Sequence, residues 1–563
     1  MMAFMNCRLP ATPFTGSPPT RRRDDARRMT FGGSLLLLAA GALAALGSGC
    51  GTAPSAHGGP GAKDEILYLI FVRSFHDSNG DAKGDLRGIE DELGYLQGLG
   101  VTTIVLTPLY QSPFYHSYFA TDFSKIDPAY GTEADFRRLV RALHRRGMKI
   151  FIDEEVQYVT ADHEWYRDAI NNPKSRFSHF IPFNGPGNTL PESGPYGLFD
   201  LSSYDGTKVR VATVNLYDPG VLDYQTRLFE HWMNPTGLPG ADDGVDGFRI
   251  DHMMDDLDSR KILVNLFARF WTPLFEKLRA ENPRVRILAE QADWGYGDDF
   301  LTRGDVDLVY DFPVRGAIVS FDKRKISEAV AETWRRTPAG KGQLIFIENH
   351  DTNRFASEVG GDVRREKVGA ALNLLLKGIP LIYYGQELGE QGKQFRGWNS
   401  DANDIPVREA FPWTATVGPG MAVWYRDTGP WWTQSPLAKS GYISLEAEAK
   451  EPGSLLAYYK GLVALRRAHP ELVSGDQVIV TDDNGSVFMF ERFDGTRRSL
   501  VAVNLSDAPV TARVAASDAA PSQPNAVLRN AVTGDAMARG GDGSFAVALQ
   551  PYGVGIFEVS PEN

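Results

Sequence analysis

From Glu65 onward, short runs of apolar residues alternate with longer segments whose apolar positions recur at helical spacing. A strand buried on both faces gives a short apolar run bounded by turn residues, whereas an amphipathic helix repeats its apolar face every three to four residues. The alternation therefore predicts strand–helix units. Eight runs are predicted to be strands, the number that closes a parallel (β/α)8 TIM barrel: 66–72, 102–109, 149–153, 245–251, 285–290, 308–312, 344–347 and 381–385.

The segments between and after these runs divide the chain further. Helical spacing predicts helices at 88–99, 133–146, 223–233, 260–280, 323–336, 364–377 and 455–468. Between residues 160 and 217, clusters of Asn, Pro, Gly and Ser without helical spacing predict a small irregular domain inserted after the third strand. Short alternating strands and turns near the end predict an antiparallel β-sandwich. We expect the barrel at 65–159 and 218–472, the insertion at 160–217 and the sandwich at 473–563.

The first 50 residues have the pattern of an export signal. An arginine-rich segment precedes an apolar run at 35–46, which is too short to span a bilayer, and small residues follow it. Cys50 comes directly after them, as in the lipobox of bacterial lipoproteins. We therefore expect export and a lipid anchor at Cys50, on the periplasmic side or at the cell surface, with free secretion as the alternative. Residues 51–64 are expected to form a flexible linker.

Charge and cysteine content exclude several classes of function. The formal net charge is −12, and a nucleic-acid partner would require a basic face. The two cysteines, Cys7 and Cys50, both precede the predicted barrel. Disulfides, cysteine-based metal sites and thiol catalysis are therefore excluded from the folded part.

Acidic residues follow three of the predicted strands. Asp251 ends the fourth, Glu290 ends the fifth, and Asp351 follows the seventh, with Arg249 and His350 beside them. One acid of this kind is usually structural, but active sites of such barrels lie where strands end, and these acids would share one rim. Arg249 and Asp251 are two residues apart on a strand and should point the same way. We expect the guanidinium to lower the pKa of Asp251 and keep it ionised.

Several motifs in order resemble the α-amylase family of retaining glycoside hydrolases, from about Leu67 to the C-terminus. They are LIFVRSFHDSNGDAKGDLRGI, LGVTTIVLTPLYQSPFYHSYFATDFSKIDPAYGTEADF, GFRIDHMMDD, ENHDTNR and GIPLIYYGQELG. The resemblance implies that Asp251 is the nucleophile, Glu290 the general acid and base, and Asp351 the acid that fixes the sugar. It further implies α-glucans or maltooligosaccharides as substrates.

The same resemblance suggests residues that bind the sugar. Arg249 lies beside the nucleophile, His350 would donate to sugar hydroxyls, and Arg408 would reach the same pocket. Tyr118 would stack under the reacting ring, with a packed core tyrosine as the alternative. The chain departs from the family in DEEVQY, where Gln157 and Tyr158 replace Asn and His. The phenol of Tyr158 either takes over the histidine's contact or leaves it unmade.

A further departure is Phe119, which stands where an acid is common. It removes one hydrogen-bond partner from the neighbourhood of Arg249. These changes affect the details of sugar binding rather than the three acids.

The loop after the first predicted strand has alternating oxygen donors. Asp77, Asn79, Asp81 and Asp85 would supply side-chain oxygens and Lys83 its carbonyl, a spacing that can wrap a hard cation. It is not an EF-hand, because Ala82 occupies the glycine position. Similar loops in the family bind calcium, so we expect a structural Ca²⁺ site; the alternative is an Asx-rich turn without metal.

Two other functions remain open on sequence grounds. The same three acids would serve a transglycosylase or isomerase, for example a trehalose-forming enzyme, in which a sugar intercepts the intermediate. A catalytically inactive glucan-binding surface protein would keep the aromatic loop around 395–432 and lose the acids. All three acids are present, which favours an enzyme.

Overall fold

The computed structural model describes residues 64–515 and 526–561. The predicted export signal, the anchor at Cys50 and nearly all of the linker lie outside these residues. Within the described ranges, no helix is both long and apolar enough to cross a membrane.

Eight parallel strands close into a barrel, which confirms the predicted fold. Each strand pairs with the next one along the chain, and the first pairs with the last. Their side chains are almost all buried, which explains why each strand is a nearly continuous apolar run. The strands are β1 (Leu67–Ile70), β2 (Thr103–Leu106), β3 (Lys149–Glu154), β4 (Gly247–Met253), β5 (Arg286–Gln291), β6 (Leu308–Tyr310), β7 (Gly342–Ile345) and β8 (Ile379–Tyr383).

Helices surround the barrel, and some differ from the predictions. The predicted helix 88–99 is two helices that meet at Glu92. A helix after β6, which the sequence did not predict, begins after Asp311, whose side chain accepts the N–H of Val314. The longer helices are Leu86–Asp91, Leu93–Leu99, Glu133–His144, Pro219–Met233, Thr272–Glu281, Phe312–Ser320, Lys323–Arg336, Val363–Leu375 and Leu455–Ala468.

The first part of the predicted helix 260–280 was wrong. Lys261 and Asn265 have positive φ angles, 59° and 56°, which a right-handed helix does not allow. Helical backbone begins only at Phe267–Trp271, as a π-turn, and continues as Thr272–Glu281. Apolar spacing alone could not reveal this, because the residues before Phe267 form the loop that carries Asp258.

The inserted segment is more regular than its composition predicted. It contains a helix, Glu164–Ala169, and a three-stranded antiparallel sheet of Tyr158–Thr160, Lys208–Thr213 and Asp200–Ser202. The sheet starts directly after β3, so it stands over the carboxyl end of the barrel. The insertion can therefore contribute side chains to the site at that end.

The C-terminal part is the predicted antiparallel β-sandwich. Its strands are β9 (Asp476–Val480), β10 (Val487–Phe493), β11 (Arg498–Asn504), β12 (Val510–Ala515), β13 (Ala526–Asn530), β14 (Ala536–Met537), β15 (Ser544–Leu549) and β16 (Val554–Pro561). A six-stranded sheet in the order β9-β10-β11-β16-β13-β14 packs on a two-stranded sheet of β12 and β15, with Met489, Val514, Phe545 and Val547 buried between them.

Candidate active site

The guanidinium of Arg249 joins three carboxyl groups at the end of β3, β4 and β5. Its Nη1 donates to both oxygens of Asp153, at 2.8 and 2.6 Å, and to Oδ1 of Asp251 at 2.6 Å. Its Nη2 donates to Oε2 of Glu290 at 2.7 Å. Strand register explains the arrangement, because Asp153 lies opposite Arg249 on the neighbouring strand. Arg249 and Asp251 point the same way, as the strand spacing predicted.

Burial dominates the ionisation of these acids. It raises the pKa of Asp251 to about 6 and the pKa of Glu290 to about 7, although Arg249 opposes the shift in both. Burial also raises the pKa of Asp153 to about 6. Arg249 does act to lower the pKa of Asp251, as expected, but burial outweighs it, so the net shift is upward. One cation shared among three buried carboxyls does not replace the water that each has lost.

The two oxygens of each central acid differ in their partners. Asp251 Oδ1 is bound by Arg249, whereas Oδ2 is buried and accepts no hydrogen bond. Glu290 Oε2 accepts from Arg249 and from the backbone N–H of His252 at 3.2 Å. Glu290 Oε1 has only the indole N–H of Trp294, at 3.4 Å. A proton on Glu290 is therefore best placed on Oε1, and Asp251 keeps one oxygen free.

The third acid is held on the other side of the same rim. Arg408 donates from Nη2 to Oδ1 of Asp351 at 2.7 Å and from Nε to the carbonyl oxygen of His350 at 2.9 Å. The hydroxyl of Tyr118 donates to Asp153 Oδ2 at 2.7 Å and lies 2.8 Å from Nε2 of His350. Burial keeps the pKa of His350 well below its usual value, so the ring is neutral.

These side chains surround a cavity of about 670 Å³ including its mouth. Asp251, Asp351, Tyr118 and Arg408 line it, together with residues of the insertion and of the loop around 400–408. Glu290 is not among the lining residues; Arg249 holds it next to Asp251, and 4% of its surface is exposed. The remaining predicted sugar-binding residues, Arg249, His350 and Tyr158, are fully buried behind the lining.

The residues that replace the usual family pattern have structural partners. The hydroxyl of Tyr158 donates to Asp258 at 2.6 Å and does not line the cavity. The amide of Gln157 donates to the carbonyl oxygens of Asp251 and His252, at 2.8 and 3.1 Å. Gln157 therefore holds the backbone of the proposed nucleophile, and Phe119 lines the cavity in place of an acid.

The sequence interpretation missed part of the cavity wall. His116 comes from the loop after β2, Tyr196 from the insertion, and Asp401 and Asp404 from the loop before Arg408. The only signal in the sequence was that Asp404 and Asp401 precede Arg408 by one and two helical turns, on a short 3₁₀ helix, Asp401–Val407. That spacing is common among surface residues and does not indicate a site.

Tryptophans of the aromatic loop pack it against the barrel. The indole N–H of Trp413 donates to the carbonyl of Phe75, and that of Trp424 donates to the hydroxyl of Ser74. Trp431 donates to the carbonyl of Tyr425 within the loop. None of the three lines the cavity, so their aromatic faces serve the core.

The acidic loop at 77–85 folds as a series of tight turns. Asp77 accepts three backbone N–H groups from within the loop. Asp85 accepts Ser78 and the N–H of Gly88, and Asn79 and Asp81 each accept the N–H two residues on. Among residues 64–515 and 526–561, no three His, Cys, Asp or Glu side chains are grouped to hold a metal ion.

Comparison with known proteins identifies the family. Residues 69–475 match the family described as alpha amylase, catalytic domain. The chain is 27% identical over 461 residues to Alpha-amylase 3 of Dictyoglomus thermophilum, covering 79% of this chain and 86% of that protein. It is 28% identical over 428 residues to the 4-alpha-glucanotransferase of Thermotoga maritima, covering 71% and 87%.

A solved structure agrees with these sequence matches. The alpha-amylase from H. orenii superposes with a TM-score of 0.72 at 27% identity, covering 88% of this chain and 100% of that one. The family match begins within β1, includes the other seven barrel strands and the three acids, and spans well over half of the chain. The chain therefore belongs to the α-amylase family.

Proposed function

We propose that this protein is a retaining glycoside hydrolase that cleaves α-glucosidic bonds in starch-like glucans or maltooligosaccharides. The observation that carries the proposal is that the two terminal nitrogens of Arg249 donate to Asp251 and to Glu290, which holds the two carboxyl groups close together beside the cavity. Retention requires two carboxyls roughly 5 to 5.5 Å apart, one to attack and one to protonate. The free Oδ2 of Asp251 can attack the anomeric carbon, and a proton on Oε1 of Glu290 can be donated to the leaving oxygen.

In the first step, Oδ2 of Asp251 attacks the anomeric carbon. The bond from that carbon to the leaving oxygen breaks, and the proton of Glu290 moves to this oxygen. The products are a glycosyl ester on Asp251, a released alcohol and an ionised Glu290. Asp351, held by Arg408, faces the same cavity and would bind hydroxyls of the reacting sugar.

In the second step, water attacks the anomeric carbon of the ester. Glu290 takes a proton from the water, the bond to Asp251 breaks, and both acids return to their starting states. If a sugar hydroxyl replaces water, the same cycle gives transglycosylation or isomerisation. The similarity to a glucanotransferase supports this second candidate.

Turnover of maltoheptaose tests the proposal and separates the candidates. Hydrolysis gives only shorter chains and one new reducing end for each bond cleaved, whereas transfer also gives longer chains without new reducing ends. Isomerisation would keep the chain length but change the terminal linkage and remove a reducing end. No change in chain length, linkage or reducing ends would contradict both candidates and would favour the third interpretation, an inactive glucan-binding protein.

The rate should have a bell-shaped dependence on pH. Asp251 must be ionised, and its pKa is about 6, so activity should rise with pH through that value. Glu290 must be protonated, and its pKa is about 7, so activity should fall above it. We expect kcat/KM to peak between these values when it is measured from about pH 4 to about pH 9.

The variant Glu290→Gln assigns the alkaline limb of that profile. With an aryl α-glucoside, whose leaving group needs no proton, its residual kcat/KM should keep the acid limb and lose the alkaline one. An unchanged alkaline limb would show that another group donates the proton.

We also propose that the loop at 77–85 binds Ca²⁺. Its donors, from Asp77, Asn79, Asp81, Lys83 and Asp85, are all oxygen, which is the chemistry that calcium prefers. The carboxylates now bind backbone N–H groups, so an ion would take lone pairs that these turns leave unused. Bound calcium would fix the loop after β1 and take no part in the reaction.

If this site binds calcium, removing the ion should destabilise the protein, because a ligand that binds only the native state stabilises it. We expect EDTA to lower the melting temperature by several degrees and added CaCl₂ to restore it. The variant Asp77→Asn should lower the starting value and abolish the response to EDTA. Equal responses in both proteins would place any calcium effect elsewhere.

We propose further that the protein is exported and anchored through a lipid on Cys50. The support is the sequence alone: an arginine-rich start, a short apolar run and a cysteine after small residues.

A further inference from the structure

One side of the cavity is walled by His116, Asp401 and Arg408, and Tyr115 is buried directly behind this closed side. Its hydroxyl donates to the carbonyl of Asp401 at 3.1 Å and accepts from Nη1 of Arg408 at 3.0 Å. Its ring stacks on Trp424 at 4.6 Å and meets the edge of Tyr204, from the insertion, at 5.7 Å. Tyr115 thus ties together the loop after β2, the loop at 400–408 and the inserted domain.

The closed side lies away from the proton donor. Glu290 is bound by Arg249, His252 and Trp294, at one end of the row of acids. Asp351 is held by Arg408, whose Nη2 is also 3.4 Å from Asp404, at the other end. Because Glu290 must face the leaving group, the end near Asp351 and Arg408 receives the sugar that stays on the enzyme.

Asp401 lines the cavity at this closed end. Both of its carboxyl oxygens are buried and accept no hydrogen bond. The nearest basic side chain is His116, with Nε2 at 3.6 Å, and burial holds the pKa of that imidazole well below its usual value. A buried carboxyl without donors is costly unless something satisfies it. Sugar hydroxyls are donors of the right kind, and a terminal glucose carries more free hydroxyls than an internal one.

We infer that the closed end holds a single terminal glucose, that Asp401 binds its hydroxyls, and that the enzyme removes glucose from non-reducing ends. This inference rests on the proposed function and adds the direction and length of the substrate. A chain that continued past this glucose would meet the wall of His116, Asp401 and Arg408, which belongs to the two loops that Tyr115 joins.

A pair of matched substrates tests the inference. One is an aryl maltoheptaoside, and the other is the same compound with its non-reducing end blocked by a 4,6-O-ethylidene group. We expect glucose release from the first, and chain shortening of the blocked compound to be at least 100-fold slower. Comparable cleavage of both would overturn the inference, because an enzyme that acts internally ignores the block.

An aryl α-glucoside separates this failure from failure of the proposed function. Cleavage of the glucoside together with the blocked maltoheptaoside would reject only the closed end. Failure to cleave any of the three substrates would reject the glycosidase assignment itself, and the inference with it.

The variant Asp401→Ala tests the residue. We expect KM for the unblocked maltoheptaoside to rise at least 10-fold with a smaller change in kcat, and the preference over the blocked substrate to shrink. A purely structural role would instead lower the melting temperature and leave KM and the preference unchanged. The matched control is Asp427→Ala, an exposed aspartate of the same long loop, which should change neither quantity.

Discussion

Asp251→Asn should lower kcat by about 10⁴-fold or more, on the scale of losing a covalent nucleophile in other enzymes. The amide cannot attack the anomeric carbon, yet it keeps the size of the carboxyl and an oxygen that can accept from Nη1 of Arg249. Folding and oligosaccharide binding should therefore change little. The measurement is kcat on maltoheptaose, with binding followed by calorimetry.

Two comparisons make this result specific. Asp427→Asn changes an exposed aspartate and should leave turnover unchanged. Asp251→Gly should regain turnover of an aryl α-glucoside when azide is added, because azide can enter the space of the missing carboxylate and form a glycosyl azide of inverted configuration. Undiminished turnover by Asp251→Asn would contradict the assignment of the nucleophile.

Arg249→Leu should abolish activity and lower the free energy of unfolding by about 3–5 kcal/mol, as expected when one partner of a buried ion pair is removed. Three carboxyls, of Asp153, Asp251 and Glu290, would lose their shared donor. The loss should be greatest above about pH 7, where these acids must ionise without a partner, and smaller near pH 5, where they are protonated. Urea unfolding at both pH values measures it.

An exposed arginine provides the control for that experiment. Arg303 also contacts two carboxylates, Asp255 and Asp299, but half of its side chain is exposed. Arg303→Leu should cost no more than about 1 kcal/mol. Equal losses for both variants would mean that Arg249 does not hold the acids together.

The barrel was predictable because each of its strands is buried on both faces. Val105, Phe151 and Ile287, for example, are completely buried, and such strands leave a short apolar run that helices interrupt. The inserted domain was less predictable, because its three-stranded sheet is built from strands of only 3, 3 and 6 residues that lie among turns. Its contribution to the cavity, through Tyr196, depends on tertiary packing that no local pattern records.

The three acids were predictable because each follows a strand, and all strands of the barrel end on the same rim. Their ionisation was not, because the pKa of Asp251 depends on how completely the fold removes water from it. The partner of Tyr158 could not be predicted either. Asp258 lies in a loop with positive φ angles at Asp258, Ser259 and Lys261, where helical spacing had predicted the start of a helix.

The central claim is that Asp251 and Glu290 act as a retaining pair. It is tested most directly by proton NMR of the first sugar released from an aryl α-glucoside, recorded before mutarotation. Two successive displacements predict that the α-anomer appears first and then equilibrates with the β-anomer. Initial release of the β-anomer would mean a single displacement by water, and would contradict the account.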